Sequence, residues 1–338
     1  MPETANAPSP QLFFDTASGY QRTAVLRAAL EFDLFTAIAE GRAAADELAA
    51  HCGASLKGMR VLCDYLTVLG FLTKQAGRYA LTPDSATFLN RRSPAYMGGT
   101  LEFLHTETLR NAYTDVAAAV RRGGTAQSHG GLTDTEHAEW VRFARAMAPM
   151  MAIQTQLVPR LIDRPADARL KVLDIAAGHG MYGIQVAKRF ANAEIVGLDW
   201  SKVLQVAVQN AQQAGLSERY RTIAGNAFEV GLGGRYDVVL IPNFLHHFGA
   251  EACVGFLRKV YDALEPDGMA ITVEFVPDED RVSPPFPANF AMAMLVLTPD
   301  GDAYTFSELQ AMLARAGFSR STLHPLEPSA QSAIVSHK

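Results

Sequence analysis

Cysteine is scarce in this chain: Cys52, Cys63 and Cys253 are the only three in 338 residues. An odd, sparse set with no C-x-x-C pair fits a reducing compartment, the cytoplasm, better than a disulfide framework. No apolar run approaches the ~20 residues of a membrane span. The opening MPETANAPSPQ lacks the basic and apolar regions of a signal peptide and reads as a loose polar tail. Positive charge is not in excess, the formal net charge being −5, which argues against a partner held through phosphates. No H-x-x-x-H spacing marks a metal site, and there is no internal repeat. What the chain does have is apolar residues, 49% against 19% charged, enough to bury cores over about two domains of ~150 residues.

The most informative stretch is Lys171–Trp200, KVLDIAAGHGMYGIQVAKRFANAEIVGLDW. Lys171–Ile175 reads as a buried strand and Ala176–Gly180 as a turn of tiny residues. Met181–Phe190 has helical spacing, and Glu194–Leu198 is a second strand ending at Asp199. Such a unit lets a ligand lie against backbone at a helix N-terminus, with an acid placed for ribose hydroxyls. Gly178, Gly180 and Gly183 spell the dinucleotide pattern G-x-G-x-x-G. Asp174, just before the turn, would repel a pyrophosphate and suits a cationic ligand such as S-adenosylmethionine. The sulfonium donor is therefore favoured over a dinucleotide, and both over a crossover that binds nothing.

Upstream, Leu12–Ile38 reads as a helical stretch too apolar to leave one face bare, implying either a partner chain or a thick internal core. Ala44–Cys52, Ser55–Leu69 and a hairpin of Phe71–Lys74 and Tyr79–Leu81 form a winged-helix pattern. Residues 1–100 hold nine Lys and Arg against nine Asp and Glu, and the second helix offers only Lys57 and Arg60 against Asp64. A structural or dimerising module is thus favoured over DNA recognition. Thr100–Val120 reads as a helix, Thr125–Thr133 as a polar loop, and Glu136–Ile162 as a long helix interrupted at Pro149 and Pro159. Its Met147, Met150 and Met151 suit either a core or a pliable ligand wall.

Downstream, helix Lys202–Ala214, strand Arg221–Ala224, strand Tyr236–Ile241, helix Ala250–Leu264 and strand Met269–Phe275 continue the alternation. A Pro-rich loop, helices Phe290–Leu297 and Thr305–Ala316, and strands Ser319–His324 and Ser332–Ser336 complete it. The class is α/β, a doubly wound sheet with its site at the C-terminal strand edge. Asp174, Asp199, Asn226, His246, His247 and Glu274 gather there. Methyl transfer from a sulfonium is an in-line displacement whose main demands are alignment and removal of the acceptor's proton. A phenol of pKa ~10 needs a base, for which histidine is suited, and Glu274 is placed to hold its other ring nitrogen.

These residues carry a resemblance. The chain resembles, nearly end to end from Leu12, the class I small-molecule O-methyltransferases of the caffeate and hydroxyindole type, including bacterial members of secondary metabolism. VLDIAAGHG is similar to the family's donor loop, with Ala176 and Ala177 where glycines are usual. LHHF is similar to the segment whose first histidine is the base, and VEFVP to the one bearing its steering acid.

The resemblance implies a Rossmann-like sheet preceded by a mostly helical winged-helix dimerisation domain: residues 12–100 dimerising, 101–164 a helical connector, 165–338 catalytic. It implies His246 and Glu274 as catalytic residues. The donor and its product S-adenosylhomocysteine would be held by Asp174, Ala176, Gly178, Gly180, Asp199, Trp200, Asn226, Ala227, Phe228 and Asn243. An aromatic acceptor would meet Phe143, Met147, Met150, Met151, His247, Phe290, Met294 and Thr298, with Phe14 (or Phe13) reaching into the neighbouring copy of a homodimer. No metal, nucleic acid or membrane is implied. The sequence departs from the pattern at Asn226, where Asp is usual, and at Ala303, where a second steering acid is expected. That second departure keeps carbon or nitrogen methylation, or a non-methylating use of the donor, as alternatives. A regulator that only binds the donor is a further one.

Overall fold

The computed structural model describes residues 8–127 and 139–338. The chain divides into two compact units, one through Glu102 and one from Phe103. Residues 101 and 102 of the expected connector therefore fall in the first unit and the rest of it in the second.

In the first unit, the stretch expected as one helix is three: Gln11–Ala17, Gly19–Glu31 and Leu34–Ala39. The second break falls at Asp33, whose backbone is left-handed at φ 50° and cannot continue a right-handed helix. Helices Ala45–Cys52 and Leu56–Val68 follow, then the hairpin Leu72–Gln75 and Arg78–Leu81. The Ser55 side chain caps the second of these helices by accepting from Gly58 N. Leu34, Phe35, Leu48, Met59, Leu66 and Leu72 form the core of this unit. Leu12, Phe13, Phe14 and Tyr20 remain exposed. Arg60 and Lys74 both pair with Asp64, at 3.0 and 2.5 Å, so much of the positive charge on helix and wing is met internally.

The second unit opens with short helices. Thr100–Val120 is broken where Thr106 and Asp115 turn to cap Glu107–Ala112 and Val116–Arg122. Residues 128–138, carrying most of the expected polar loop and the start of the long helix, lie outside the described residues. Helix α1 is Glu139–Met147; after the break at Pro149 come Ala152–Leu157 and a 3-10 turn at Val158–Leu161.

The sheet then assembles from β1 (Lys171–Ile175), α2 (Met181–Arg189), β2 (Glu194–Asp199), α3 (Ser201–Gln213), β3 (Tyr220–Ala224) and β4 (Tyr236–Pro242). It continues through α4 (Ala250–Ala263), β5 (Leu264–Glu274), α5 (Pro285–Leu297), α6 (Phe306–Ala316), β6 (Arg320–Pro325) and β7 (Ser332–His337). Its order is β3-β2-β1-β4-β5-β7-β6, with β7 antiparallel to both neighbours and the rest parallel. Strands buried on both faces need continuous apolar runs, and Val172–Ile175 and Val238–Pro242 are buried throughout. Val172 and Leu240 face one core with Ile184 and Ala207; Leu173 and Ile241 face the other with Leu257 and Leu313.

Two boundaries of this unit's sheet and helices differ from expectation by five residues. β5 starts at Leu264 rather than Met269, because Leu264 pairs with Tyr236 across a bulge. Helix α5 starts at Pro285, five residues before Phe290, since prolines in a first helical turn forfeit no hydrogen bond. The order change between β1 and β4 opens a crevice at the carboxyl ends of the strands.

Candidate active site

The turn after β1 is held in shape by its own backbone and by β2. Ala177 N donates to Leu198 O at 3.0 Å and Gly180 N to Ala177 O at 2.7 Å. Gly178 N donates to Asp199 Oδ2 at 2.8 Å, which ties the turn to the acid at the end of the next strand. Ala176, Gly178 and Gly180 are all left-handed, with φ of 49°, 55° and 72°. Gly183 is required for closeness: a Cβ there would lie 2.6 Å from Ile195 Cγ2. By contrast, a Cβ on Gly178 would meet only Ala176 O at 3.7 Å, so that side of the turn is open.

Asp174 is fully buried. Its Oδ2 accepts from Gly183 N at 3.0 Å, and its Oδ1 has no partner. Desolvation, aided by the charge of Asp199, pushes its pKa up to about 8. Burial likewise raises Asp199 to about 6, against the hydrogen bonds it accepts from Gly178 and Trp200. His179 is buried and pushed down to about 4 by desolvation; its Nδ1 accepts from Met181 N.

At the end of β3, Asn226 Oδ1 accepts from Phe228 N and its Nδ2 donates to Glu229 Oε1, both at 3.0 Å. Lys259 on α4 donates to the carbonyls of Ala227, Phe228 and Val230 at 2.9, 3.0 and 2.6 Å. Phe228 packs against Phe244, Phe248 and Phe256.

At the end of β4, Asn243 is left-handed (φ 54°), and the chain turns back over β5. Glu274 Oε1 accepts from Phe244 N and Leu245 N at 3.1 and 2.9 Å. Its Oε2 lies 2.5 Å from His246 Nδ1. A carboxylate only accepts, so Nδ1 carries a proton, and in the neutral ring this is the tautomer whose lone pair is on Nε2. The His246 ring packs edge-on to Phe290 and 4.2 Å from the His247 ring. His247 is half-buried beside Trp140; its Nδ1 is buried without a partner, and desolvation depresses its pKa well below the ordinary value.

These elements enclose a cleft with about 1100 Å³ of space free of protein atoms, its open mouth included. Of the residues expected around a donor, Ala176, Gly178, Asp199, Trp200, Asn226, Ala227, Phe228 and Asn243 line it. Asp174 lies beneath, and Gly180 packs behind against Ala207. Of those expected around an acceptor, Phe143, Met151 and His247 line it, whereas the expected catalytic pair His246 and Glu274 is buried and does not. Met147 and Met150 pack instead with Val296 and Leu297 of α5, and Phe290 lies against Phe275 and His246. Met294 and Thr298 are buried within and after α5, Thr298 Oγ1 bonding Met294 O and Gly301 N. Phe14 belongs to the first unit. Trp140, His179, Tyr182 and Val203 line the cleft without having been singled out from the sequence. Ala303, at the expected second acid, is fully buried. Among the described residues, no group of three or more His, Cys, Asp or Glu side chains is arranged to hold a metal.

A doubly wound sheet with a small-residue turn after its first strand, an acid at the end of the next and a cleft at the strand ends is the architecture of a nucleotide-like ligand site. The O-methyltransferase domain model matches residues 113–319, and the O-methyltransferase dimerisation domain model residues 14–91. The chain is 27% identical over 333 residues to 3-hydroxy-5-methyl-1-naphthoate 3-O-methyltransferase of Streptomyces sahachiroi, covering 97% of this chain and 95% of that one. It is 28% identical over 325 residues to mouse acetylserotonin O-methyltransferase, covering 90% and 83%. A solved structure from Nostoc punctiforme, described as a candidate O-methyltransferase, is 50% identical with a TM-score of 0.94, covering 98% of this chain and all (100%) of that one. The chain belongs to the O-methyltransferase family. It is an S-adenosylmethionine-dependent methyltransferase.

The residues present fit that donor. The partnerless Oδ1 of Asp174 suits a cation, the open side of Gly178 admits a ligand against the backbone, and Asp199 has lone pairs left for hydroxyls.

Proposed function

We propose that this protein is a homodimeric enzyme that methylates a hydroxyl of a small aromatic metabolite, with His246 as general base. The observation that carries this reading is the His246–Glu274 pair. Glu274 is anchored by two backbone N–H groups, and its free oxygen fixes His246 in the tautomer whose Nε2 is basic.

When bound, the donor supplies an electrophilic methyl group on a sulfonium. Asp174 would hold its cationic end, Asp199 its ribose, and the turn Gly225–Phe228 its base. Trp140, Phe143 and Met151 offer flat and pliable surface to an aromatic ring. His246 takes the acceptor's proton as its oxygen attacks, and Glu274 stabilises the imidazolium that forms. A second acid is dispensable on this reading, because two backbone donors already fix the carboxylate. The aromatic acceptor is supported by the relatives, whose names specify a naphthoate and acetylserotonin.

Dimer formation is supported by the dimerisation-domain match and by the exposed Leu12, Phe13, Phe14 and Tyr20. A cytoplasmic location is supported by the free thiols of Cys52, Cys63 and Cys253. Among the described residues no helix is long and apolar enough to cross a membrane. The Asp64 pairings of Arg60 and Lys74 weigh against a nucleic-acid partner. The direct test is a screen of small phenols with the purified enzyme, reading S-adenosylhomocysteine release. Turnover of one or more phenols is expected. Turnover confined to amines or carbon acids would overturn the O-methyl assignment.

A further inference from the structure

Among the buried polar atoms without partners in and around the cleft are Asp174 Oδ1 and Tyr182 Oη. Asp174 is accounted for by a cationic ligand. Tyr182 is not part of the machinery described so far. It is the second residue of α2, only 2% exposed, and its side chain lines the cleft. Its ring stacks on His179, with centroids 6.2 Å apart and planes 22° from parallel. His179 is in turn fixed by accepting from Met181 N. The phenol is therefore held in place by its ring, while its hydroxyl does nothing within the protein.

The hydroxyl lies near the Asn243 carboxamide without meeting it in hydrogen-bond geometry, and Asn243 Oδ1 is already engaged by Gln331 Nε2. Burial, with the charges of Asp174 and Glu274 adding to it, pushes the phenol's pKa up, so it stays neutral. A phenylalanine would fill the same space without burying an unsatisfied hydroxyl. The missing partner is thus one that arrives with the ligand.

We propose that Tyr182 is a binding residue for the α-amino-acid end of the sulfonium donor, its hydroxyl meeting that charged end beside Asp174. This rests on the donor site described above. The neutral phenol has both a proton and a lone pair, so it can serve a zwitterion, whose ammonium and carboxylate need opposite partners. The adenosine part would be held by other residues, Asp199 and Asn226.

The test is calorimetry of the full-length protein and Tyr182→Phe with two ligands: S-adenosylhomocysteine, and 5′-methylthioadenosine, which lacks the amino-acid end. Tyr182→Phe should bind S-adenosylhomocysteine about tenfold or more weakly, the worth of a hydrogen bond to a charged group, and methylthioadenosine as wild type does. Its melting temperature should equal or exceed that of wild type, which separates lost binding from lost folding. Unchanged affinity for S-adenosylhomocysteine, or an equal loss for both ligands, overturns the contact. A wild-type protein that binds neither ligand would overturn the donor site itself, and the contact with it.

Discussion

His246 Nδ1 stands 2.5 Å from Glu274 Oε2, and the other carboxylate oxygen is pinned by the backbone of the two residues just before that histidine. The acid, the turn and the base are thus one rigid unit. Replacing His246 with Ala should leave S-adenosylhomocysteine affinity within about twofold and lower kcat by about 100-fold or more. Glu274→Gln should lower kcat too, since an amide can donate to Nδ1 and hold the wrong tautomer. Unchanged turnover in steady-state assays of His246→Ala would remove this base from the reaction.

Asp174 gives a pH dependence with a definite sign. Its pKa in the ligand-free fold is near 8, so it is largely protonated at neutrality. Binding a cation requires the carboxylate, so donor affinity should rise between about pH 6 and 8 with uptake of the ligand releasing a proton. Calorimetry in buffers of different ionisation enthalpy measures that proton directly.

The same shift opposes folding. The raised pKa means the native state binds more protons than the unfolded chain, so ligand-free stability should fall as pH rises from about 4 to 8. Asp199, raised to about 6, adds to the lower half of that range, and Asp174 alone extends it. Asp174→Asn should flatten the slope above pH 6, raise the ligand-free melting temperature at pH 8 by roughly a few degrees, and abolish the gain on adding S-adenosylhomocysteine. Melting curves across pH, with and without that ligand, check all three.

Gly183→Ala would place a methyl 2.6 Å from Ile195 Cγ2 and 3.1 Å from Asp174 Oδ2. Prising α2 from β2 should cost about 1–3 kcal/mol, a drop of several degrees in melting temperature. Donor affinity should weaken as well, because Asp174 shifts with the helix. A variant as stable as wild type would show that the contact is looser than these distances imply.

Asn226→Asp restores the residue usual in the family, yet here it would set a carboxylate against Glu229, the present partner of its Nδ2 at 3.0 Å. S-adenosylhomocysteine affinity should fall a few-fold at low salt, within the ~1 kcal/mol of an exposed charge pair, and recover in Asn226→Asp combined with Glu229→Gln. Titrations at two salt concentrations distinguish this from a direct loss of adenine contact.

The sheet was largely legible, because runs such as Val172–Ile175 and Tyr236–Ile241 have no stable place except inside a parallel sheet. The donor turn was legible for the same local reason, its small residues following directly on a strand. Breaks that rest on one backbone angle were not: nothing in the letters around Asp33 announces a left-handed φ. The acceptor wall was half legible. Met147 and Met151 look alike in a helical pattern and both are buried in one cluster with α5, yet only Met151 also lines the cleft. Gln154 and Gln331 were invisible, since the 2.9 Å hydrogen bond from Gln154 Nε2 to Gln331 Oε1 joins residues 177 apart and reaches Asn243 only through the fold.

Lys259 spends its hydrogen bonds on three successive-region carbonyls, of Ala227, Phe228 and Val230. The curvature of the wall that would face the nucleobase is therefore dictated by one ammonium on the far side of that wall. An acylating reagent that neutralised this amine would release the segment from behind, blunting purine selectivity while every residue in contact with the ligand stayed chemically intact.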